Sequence, residues 1–213
     1  MNRATPQQIQ EQKDFWESMF KKGYRCTGFN LQDGFTIYYP EFIAKYLQPS
    51  PLKNLFEVGC GWGKQTKIFA SMFGNVIASD ISPTIIEIAK ERCFEHKNII
   101  YCEYPNDLDK INLKFQCLFS YGTFQLCTNE MVITMLEDVT KSMESNGKFI
   151  LEFQMFDSAR TIQKEVNREL GRHDMMRNPH EIRELLNNTD LIMDGYELVL
   201  KPALQVWAYG HKK

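Results

Sequence analysis

Three glycines, Gly59, Gly61 and Gly63, stand at alternate positions directly after the apolar run of residues 54–58. Residues without a side chain let another molecule approach the backbone closely. The apolar run predicts a buried strand and residues 64–73 have helical composition, so the glycines are predicted to occupy a strand-to-helix turn. Such turns bind nucleotides in α/β proteins, although glycines also cluster in ordinary turns.

Asp80 is the second residue whose position suggests chemistry. It ends another β-like run, residues 75–79, and lies 19 residues after Gly61. Dinucleotide-binding folds place a ribose-binding acid at about that distance. Ser82 and Pro83 then provide an N-cap and a first-turn proline for a helix. The predicted order is strand, glycine turn, helix, strand, acid, helix.

Composition indicates an ordinary globular protein. The chain has 213 residues, 43% of them hydrophobic and 24% charged, and no stretch resembles a linker. We therefore expect one domain over residues 1–213. The net charge of −2 argues against a broad surface for nucleic acid.

Residues 1–15 are polar and no later run approaches the length of a membrane span, which predicts a cytoplasmic protein with no membrane partner. The six cysteines form no C-x-x-C pair, and neither they nor the histidines have the spacing of metal ligands. We expect the cysteines to be small core residues in a reducing compartment.

Further strands are predicted at residues 98–102, 115–120 and 148–153, each short and largely apolar, as in parallel sheets covered on both faces. A helix is predicted from Asn129 to Met143. Residues 155–177 read as an insertion that is helical through residues 161–170. The sequence from Asn178 to Glu181 forms a capping box for the next helix, and residues 191–200 and 203–209 predict a closing antiparallel hairpin.

Residues 1–50 are predicted to form a helical cap, with helices over residues 6–22 and 39–47. These helices precede the first strand, so they are expected at the carboxyl ends of the strands or along one flank. The first position would make them a lid.

The order of these motifs resembles the class I S-adenosylmethionine-dependent methyltransferases over roughly residues 50–210, with residues 57–63 and 78–82 similar to the first and second motifs of that family. The resemblance implies an α/β, Rossmann-like three-layer sandwich with an N-terminal helical lid. Its mostly parallel seven-stranded sheet would have the order 3-2-1-4-5-7-6, with the last strand antiparallel. The implied cofactor is S-adenosyl-L-methionine, with S-adenosyl-L-homocysteine as its product.

The resemblance also implies cofactor contacts. Gly59 and Gly61, with Cys60 between them, would bring the backbone against the methionine part of the cofactor, and Asp80 would accept hydrogen bonds from both ribose hydroxyls. Ile81 would pack on the adenine face. Glu57 would lie near the cofactor's amino group or hold the glycine turn.

Two further pairs of residues complete the implied cofactor site. Asn106 and Asp107 stand near the position where many family members carry an acid that binds the adenine amino group; here Pro105 is close to that place. Ser120 and Tyr121 follow the fourth strand, where methionine and methyl acceptor would meet.

A sulfonium methyl group is already electrophilic, so a catalytic base is optional and matters most for a hydroxyl acceptor. His173, beside Asp174 in the insertion, is the candidate base, although a histidine in a polar loop is more often a surface residue. The sequence lacks the Asn/Asp-Pro-Pro-aromatic tetrapeptide of base N-methyltransferases: Ser120 begins Ser-Tyr-Gly-Thr instead.

A small polar metabolite is therefore the expected acceptor, with O-methylation of a sugar or secondary-metabolite intermediate leading. The alternatives are a protein or RNA methyltransferase that needs a partner, a non-catalytic cofactor-binding subunit, and an NAD-dependent oxidoreductase. The protein is expected to be a monomer or a homodimer.

Overall fold

The computed structural model describes residues 2–22, 39–155, 176–200 and 204–213 of the 213-residue chain. Helices and strands within these ranges are numbered in chain order. They are α1 (Pro6–Lys21), α2 (Tyr39–Tyr46), β1 (Asn54–Val58), α3 (Lys64–Ala70), β2 (Asn75–Asp80), α4 (Pro83–Arg92), β3 (Ile99–Glu103), β4 (Phe115–Ser120), α5 (Asn129–Thr140), β5 (Met143–Gln154), α6 (Pro179–Asn187), β6 (Leu191–Leu200) and β7 (Leu204–Lys212). Short 3-10 turns span Leu108–Lys110 and Phe124–Leu126.

The strands form one seven-stranded sheet in the order β3-β2-β1-β4-β5-β7-β6. β2 is parallel to both β1 and β3, and β4 is parallel to β5, whereas β7 is antiparallel to β5 and β6. The predicted α/β class, strand order and antiparallel closing hairpin are confirmed. Only three residues separate β6 from β7, too few for a crossover helix, which is why the two strands run in opposite directions.

Two compact units are distinguished by contacts within the chain. The N-terminal unit comprises residues 6–112, and the C-terminal unit comprises residues 1–5 together with 113–213. Each unit is described below by itself. A single domain over residues 1–213 stays a prediction.

The N-terminal unit is built on β1 and β2, whose central residues are almost all buried. α4 begins as its sequence predicts: the Ser82 hydroxyl accepts a 3.3 Å hydrogen bond from the Ile85 N–H, and Pro83 occupies the first turn. Ile85, Ile86 and Ala89 are buried along one face of this helix. α3 is shorter than predicted, because the chain turns at Ser71 before the predicted stop at Gly74.

The first helix lies at the carboxyl ends of β2 and β3, the position that the lid prediction required. The Glu17 carboxylate of α1 accepts hydrogen bonds from the Ser82 hydroxyl, at 2.6 Å, and from the Thr84 hydroxyl, at the start of α4. Lys13 of α1 lies 2.5 Å from the carboxylate of Glu103, the last residue of β3. A carboxylate beside a helix N-terminus is favoured by the helix dipole, so Glu17 holds α1 against α4.

The C-terminal unit contains one clear departure from the predicted elements. α5 ends at Thr140 and Met143 begins β5, whereas the sequence predicts a helix through Met143 and a strand from Lys148. Met143 pairs with Phe115, and the register then shifts so that Lys148 pairs with Cys117. Met143 is buried, and one apolar residue suits a helix face and a strand equally, so periodicity could not distinguish them.

The two ends of the predicted insertion lie next to each other in the C-terminal unit. The Arg177 N–H donates to the Gln154 carbonyl at 2.9 Å, which closes the segment at the carboxyl end of β5. The buried Arg177 guanidinium also donates to the carbonyls of Phe124 and Cys127 and to the side-chain oxygen of Asn129. Residues 156–175, including the predicted helix over residues 161–170, lie outside the described ranges.

α6 begins with the predicted capping box, in which the Asn178 side chain accepts from the Glu181 N–H and the Glu181 carboxylate accepts from the Asn178 N–H. The five cysteines in the described part of the chain are buried and free of disulfides; Cys26 lies outside it. Among the described residues, no helix is both long and apolar enough to cross a membrane, and no group of His, Cys, Asp or Glu could hold a metal ion.

Candidate functional site

The glycine turn leaves the carboxyl end of β1 with three left-handed backbone positions. Gly59, Gly61 and Gly63 have φ values of 75°, 52° and 82°. Residues with a Cβ rarely adopt these angles, which explains why glycine recurs here. The Gly59 and Cys60 N–H groups both donate to the Ser79 carbonyl at 2.8 Å, so the turn is fixed against the end of β2.

Gly61 and Gly63 differ in what surrounds them. A Cβ added to Gly63 would lie 2.8 Å from the Cys93 sulfur and 3.3 Å from the Ala89 Cβ, so this glycine lets α3 pack closely on α4. A Cβ added to Gly61 would meet no described atom within 4 Å. Close packing therefore adds a reason for glycine at 63, whereas no described residue fills the space beside Gly61.

Asp80 connects this turn to the start of α4. Its Oδ2 accepts a 3.0 Å hydrogen bond from the Gly61 N–H, and its Oδ1 accepts a 3.1 Å hydrogen bond from the Ser82 N–H. Burial raises the pKa of the Asp80 carboxyl to about 6, although backbone hydrogen bonds from Ser82, Gly61 and Ile81 lower it. Because two carboxylate oxygens offer about four acceptor positions, Asp80 keeps capacity for further donors.

Glu57 is buried inside the turn, where its Oε2 accepts a 2.6 Å hydrogen bond from the Thr66 hydroxyl of α3. Burial raises the pKa of the Glu57 carboxyl to about 8. The hydrogen bond from Thr66 lowers this pKa, whereas the nearby charge of Asp80 raises it further. Of the two roles implied by the sequence resemblance, the Thr66 contact favours holding the glycine turn.

Cys60 and Ile81, the other two predicted contacts in this region, differ in burial. Cys60 is buried, and burial with nearby Asp80 raises the pKa of its thiol well above the ordinary value, which leaves the thiol neutral. Ile81 is half-buried between Asp80 and the α4 N-cap.

The turn after β3 contains the predicted adenine-binding pair. Asp107 closes this turn: its Oδ2 accepts from the Glu103 N–H at 3.0 Å, its Oδ1 from Lys110 at 2.5 Å, and its own N–H donates to the Glu103 carbonyl. The Lys110 hydrogen bond lowers the pKa of Asp107. Asn106 is exposed and donates to the Glu103 carboxylate at 2.7 Å.

Ser120 and Tyr121 belong to the C-terminal unit. Ser120 is buried and pairs with Leu151 of β5. Tyr121 stacks on Trp207 of β7, with ring centroids 5.5 Å apart and planes 20° apart. The Trp207 indole donates to the Gln205 side-chain oxygen at 3.1 Å, and the Gln205 amide donates to the Tyr121 hydroxyl at 3.4 Å. We call Tyr121, Gln205 and Trp207 the aromatic cluster.

Sequence reasoning missed Glu152, a fully buried carboxylate in β5. Its Oε2 accepts a 2.8 Å hydrogen bond from the Gly122 N–H, and burial raises its pKa to about 7. A glutamate inside the otherwise apolar run of residues 149–153 was the available signal. Glu17 was also missed, and no local pattern marks its contact with Ser82, 65 residues away. His173 lies outside the described residues.

Comparison with known proteins supports the sequence resemblance. Residues 55–147 match the model of a methyltransferase domain family. A curated relative, malonyl-[acyl-carrier protein] O-methyltransferase 1 of Ilyobacter polytropus, is 33% identical over 82 residues, which cover 37% of this chain and 30% of that protein. The matched segment thus spans about a third of the length of that relative.

Several solved structures share the fold at low sequence identity. Magnesium protoporphyrin IX methyltransferase from Synechocystis PCC 6803, solved with bound S-adenosylhomocysteine, matches with a TM-score of 0.70 and 14% identity over 96% of this chain and 99% of that one. The N-methyltransferase NodS from Bradyrhizobium japonicum WM9 matches with a TM-score of 0.61 and 14% identity over 81% of this chain and 84% of that one.

The residues that match the family model include both the glycine turn and Asp80. The strand order of the sheet and the fold shared with solved methyltransferases are consistent with this match. Residues 55–147 thus match a methyltransferase domain, and the chain has the fold of known S-adenosylmethionine-dependent methyltransferases, which supports its resemblance to the class I, Rossmann-like members.

Proposed function

We propose that this protein transfers a methyl group from S-adenosyl-L-methionine to a small polar metabolite. The observation that carries the proposal is the pairing of Gly61 with Asp80, where open space beside the glycine adjoins a carboxylate with remaining acceptor capacity. Such a site fits a ligand that has one segment lying against the Gly61 backbone and a pair of hydroxyl groups that can donate to Asp80. Structural relatives with bound S-adenosylhomocysteine support this cofactor.

The chain's own residues would bind and orient the cofactor, which supplies an electrophilic methyl group when bound. Asp80 would accept hydrogen bonds from the ribose hydroxyls, Ile81 would pack on adenine, and Gly59, Cys60 and Gly61 would face the methionine part. Glu57 would keep the turn in shape through Thr66. Asn106, Asp107, Ser120 and Tyr121 remain proposed cofactor contacts, each to be tested by its own substitution.

O-methylation of a sugar or secondary-metabolite intermediate is the leading proposed reaction. The curated relative is an O-methyltransferase by name, which supports oxygen as the methylated atom. Partner-dependent methylation of protein or RNA, non-catalytic cofactor binding and NAD-dependent oxidation are the alternatives. A cytoplasmic location, and a monomer or homodimer without nucleic acid or membrane partners, remain predictions.

Calorimetric titration with S-adenosylmethionine, S-adenosylhomocysteine and NAD tests the cofactor. We expect both sulfur-containing ligands to bind and NAD not to bind. Binding of NAD alone would contradict the proposal and favour an oxidoreductase.

Transfer of labelled methyl groups from S-adenosylmethionine to a panel of sugars, phenols, amines and carboxylic acids tests the acceptor class. Methylation of a hydroxyl compound is the expected result. If cofactor binds but no panel member is methylated, the small-molecule proposal is wrong. His173→Ala should lower turnover by about a hundredfold or more if His173 is the base, with unchanged cofactor affinity.

A further inference from the structure

Ser82 hydrogen-bonds two carboxylates that come from different parts of the N-terminal unit. Its backbone N–H donates to Asp80 Oδ1 at 3.1 Å, and its hydroxyl donates to Glu17 Oε2 at 2.6 Å. Asp80 ends β2 and is the proposed ribose-binding residue, whereas Glu17 lies in α1. Ser82 therefore connects the first helix to the residue that would hold the cofactor.

A second contact places α1 at the end of the neighbouring strand. Lys13 lies 2.5 Å from the carboxylate of Glu103, and Glu103 pairs with Asp80 in the register of β2 and β3. Lys13 and Glu17 are four residues apart, so they lie on the same face of α1. That face is thus anchored at the ends of two adjacent strands, next to the proposed ribose site.

Glu17 is ionised where it meets the start of α4. Its carboxylate accepts from the Ser82 hydroxyl, from the Thr84 hydroxyl and, at 3.4 Å, from the Thr84 N–H. Burial raises the pKa of Glu17, but these hydrogen bonds and the charge of Lys21 lower it below its ordinary value. Docking of α1 therefore brings a negative charge to the residues that follow Asp80.

The charge of Glu17 acts on Asp80. Burial is the main reason why the pKa of Asp80 is about 6, and the nearby charge of Glu17 raises it further. Ionised Asp80 is therefore less favourable when α1 is docked. Hydroxyl groups that donate to the Asp80 carboxylate would offset this repulsion, because they stabilise its charge.

The other described titratable groups around Asp80 add little charge near pH 6. In β1 and the glycine turn these groups are Glu57 and Cys60, and burial raises both pKa values, to about 8 for Glu57 and well above the ordinary value for Cys60. Both are therefore largely neutral. In β3 and α1 they are Glu103 and Lys13, which pair with each other.

We propose that Glu17 is a positioning residue that couples docking of α1 to binding of the cofactor ribose at Asp80, with Ser82 as the link. The inference rests on the proposed methyltransferase function and adds a role for α1 in it. Docked α1 holds Ser82, whose N–H fixes one oxygen of Asp80, so less ordering remains for cofactor binding. In return, ribose hydroxyls relieve the repulsion between Asp80 and Glu17. Each event favours the other.

Coupling of this kind is reciprocal, so it can be measured from either side. We expect S-adenosylhomocysteine to slow hydrogen exchange of the α1 amides by about fivefold or more in the wild type, and Glu17→Ala to weaken S-adenosylhomocysteine binding by a comparable factor. Glu17→Ala should also lose most of the protection that the ligand gives α1. Glu11→Gln is the control, because Glu11 accepts from the Gln7 side chain of α1 itself, and it should keep both wild-type values.

The pH dependence of binding separates positioning of Asp80 from a purely structural role. Wild-type affinity for S-adenosylhomocysteine should fall as pH drops through about 6, because protonated Asp80 accepts fewer hydrogen bonds. Since Glu17 raises the pKa of Asp80, Glu17→Gln should move the midpoint of this fall to lower pH. A residue that only held α1 against α4 would leave the midpoint in place.

The outcomes distinguish failure of the coupling from failure of the proposed function. Ligand protection of α1 that is equal in wild type and Glu17→Ala, or a midpoint that Glu17→Gln leaves unchanged, overturns the coupling while cofactor binding stands. If Glu17→Ala does not fold, Glu17→Gln, which keeps the shape of the side chain, carries the exchange test as well. Absence of S-adenosylhomocysteine binding in the wild type would instead refute the methyltransferase function and, with it, the coupling.

Discussion

The Asp80 carboxylate accepts a 3.0 Å hydrogen bond from the backbone N–H of Gly61, 19 residues earlier in the chain. The spacing that suggested a nucleotide site thus corresponds to a direct contact between the acid that ends β2 and the glycine turn that follows β1. Because Ser82 donates to the other oxygen of Asp80, one carboxylate fixes both the turn and the start of α4. The residue proposed to bind the cofactor therefore also fixes the local structure.

Substitution of Asp80 should weaken cofactor binding and loosen the turn together. In Asp80→Asn, one backbone N–H would face the amide NH2 group, since an amide offers only one acceptor oxygen. We expect S-adenosylhomocysteine affinity to fall by about 1.5–3 kcal/mol, the scale of hydrogen bonds to a charged group. Calorimetry measures this change, with the exposed Asp109→Asn as control. Unchanged affinity would remove Asp80 from the cofactor site.

Gly61→Ala and Gly63→Ala form a matched pair that separates function from stability. Both substitutions place a Cβ at positive φ, at a cost of about 1–2 kcal/mol. Gly63→Ala should lose about 1–3 kcal/mol more because its Cβ meets Cys93 and Ala89. Gly61→Ala meets no described atom, so its larger effect should fall on cofactor affinity.

Thermal unfolding and calorimetric titration of both glycine variants provide the comparison. We expect S-adenosylhomocysteine affinity of Gly61→Ala to drop about tenfold or more, equivalent to about 1.4 kcal/mol. An affinity equal to that of the wild type would show that no ligand occupies the space beside Gly61.

Glu57 should make the protein less stable as pH rises. Its pKa is about 8 in the folded chain against an ordinary 4.5, so the folded state holds this proton more tightly than the unfolded state. The associated stability is fully present below pH 4.5 and is lost as pH rises through about 8. Glu57→Gln has no proton to lose, and its melting temperature should decline less between these pH values.

Circular dichroism melts from pH 4 to 9 measure this difference between Glu57→Gln and wild type. The comparison with wild type isolates Glu57 from Asp80 and Glu152, whose pKa values are also raised by burial. Glu91→Gln, at an exposed position of the same unit, should follow the wild-type curve. Parallel curves for Glu57→Gln and wild type would contradict a buried, protonated Glu57.

Removal of Glu17 should release α1 from α4. Glu17→Ala loses the hydrogen bonds from Ser82 and Thr84 and the favourable charge at the α4 N-terminus, which predicts a loss of about 1 kcal/mol. Glu11→Ala is the control, because it removes a carboxylate of the same helix that accepts a hydrogen bond from the Gln7 side chain of α1 itself. Hydrogen exchange of the α1 amides should accelerate in Glu17→Ala and not in Glu11→Ala; equal rates would show that Glu17 does not hold α1 against α4.

Local sequence was sufficient to predict most of the helices, strands and turns. Ser82 and Pro83 marked the start of α4, and Asn178 and Glu181 marked the start of α6. Alternating glycines after an apolar run marked the turn. These predictions succeeded because caps and turns depend on residues within a few positions of one another. The end of α5 was predicted wrongly, since Met143 satisfies either a helix face or a buried strand and only its pairing with Phe115 decides between them.

Side-chain contacts between distant segments were decided by the tertiary structure alone. Glu17 meets Ser82 across 65 residues, and Gly122 meets Glu152 across 30, and no local pattern links the two members of either pair. The sequence by itself marked the glycine turn and the acid, because turn chemistry is local, whereas the strand order was implied by the resemblance to a known family. Packing decided which carboxylates hold α1 and the glycine turn, since burial and hydrogen-bond partners exist only in the folded chain.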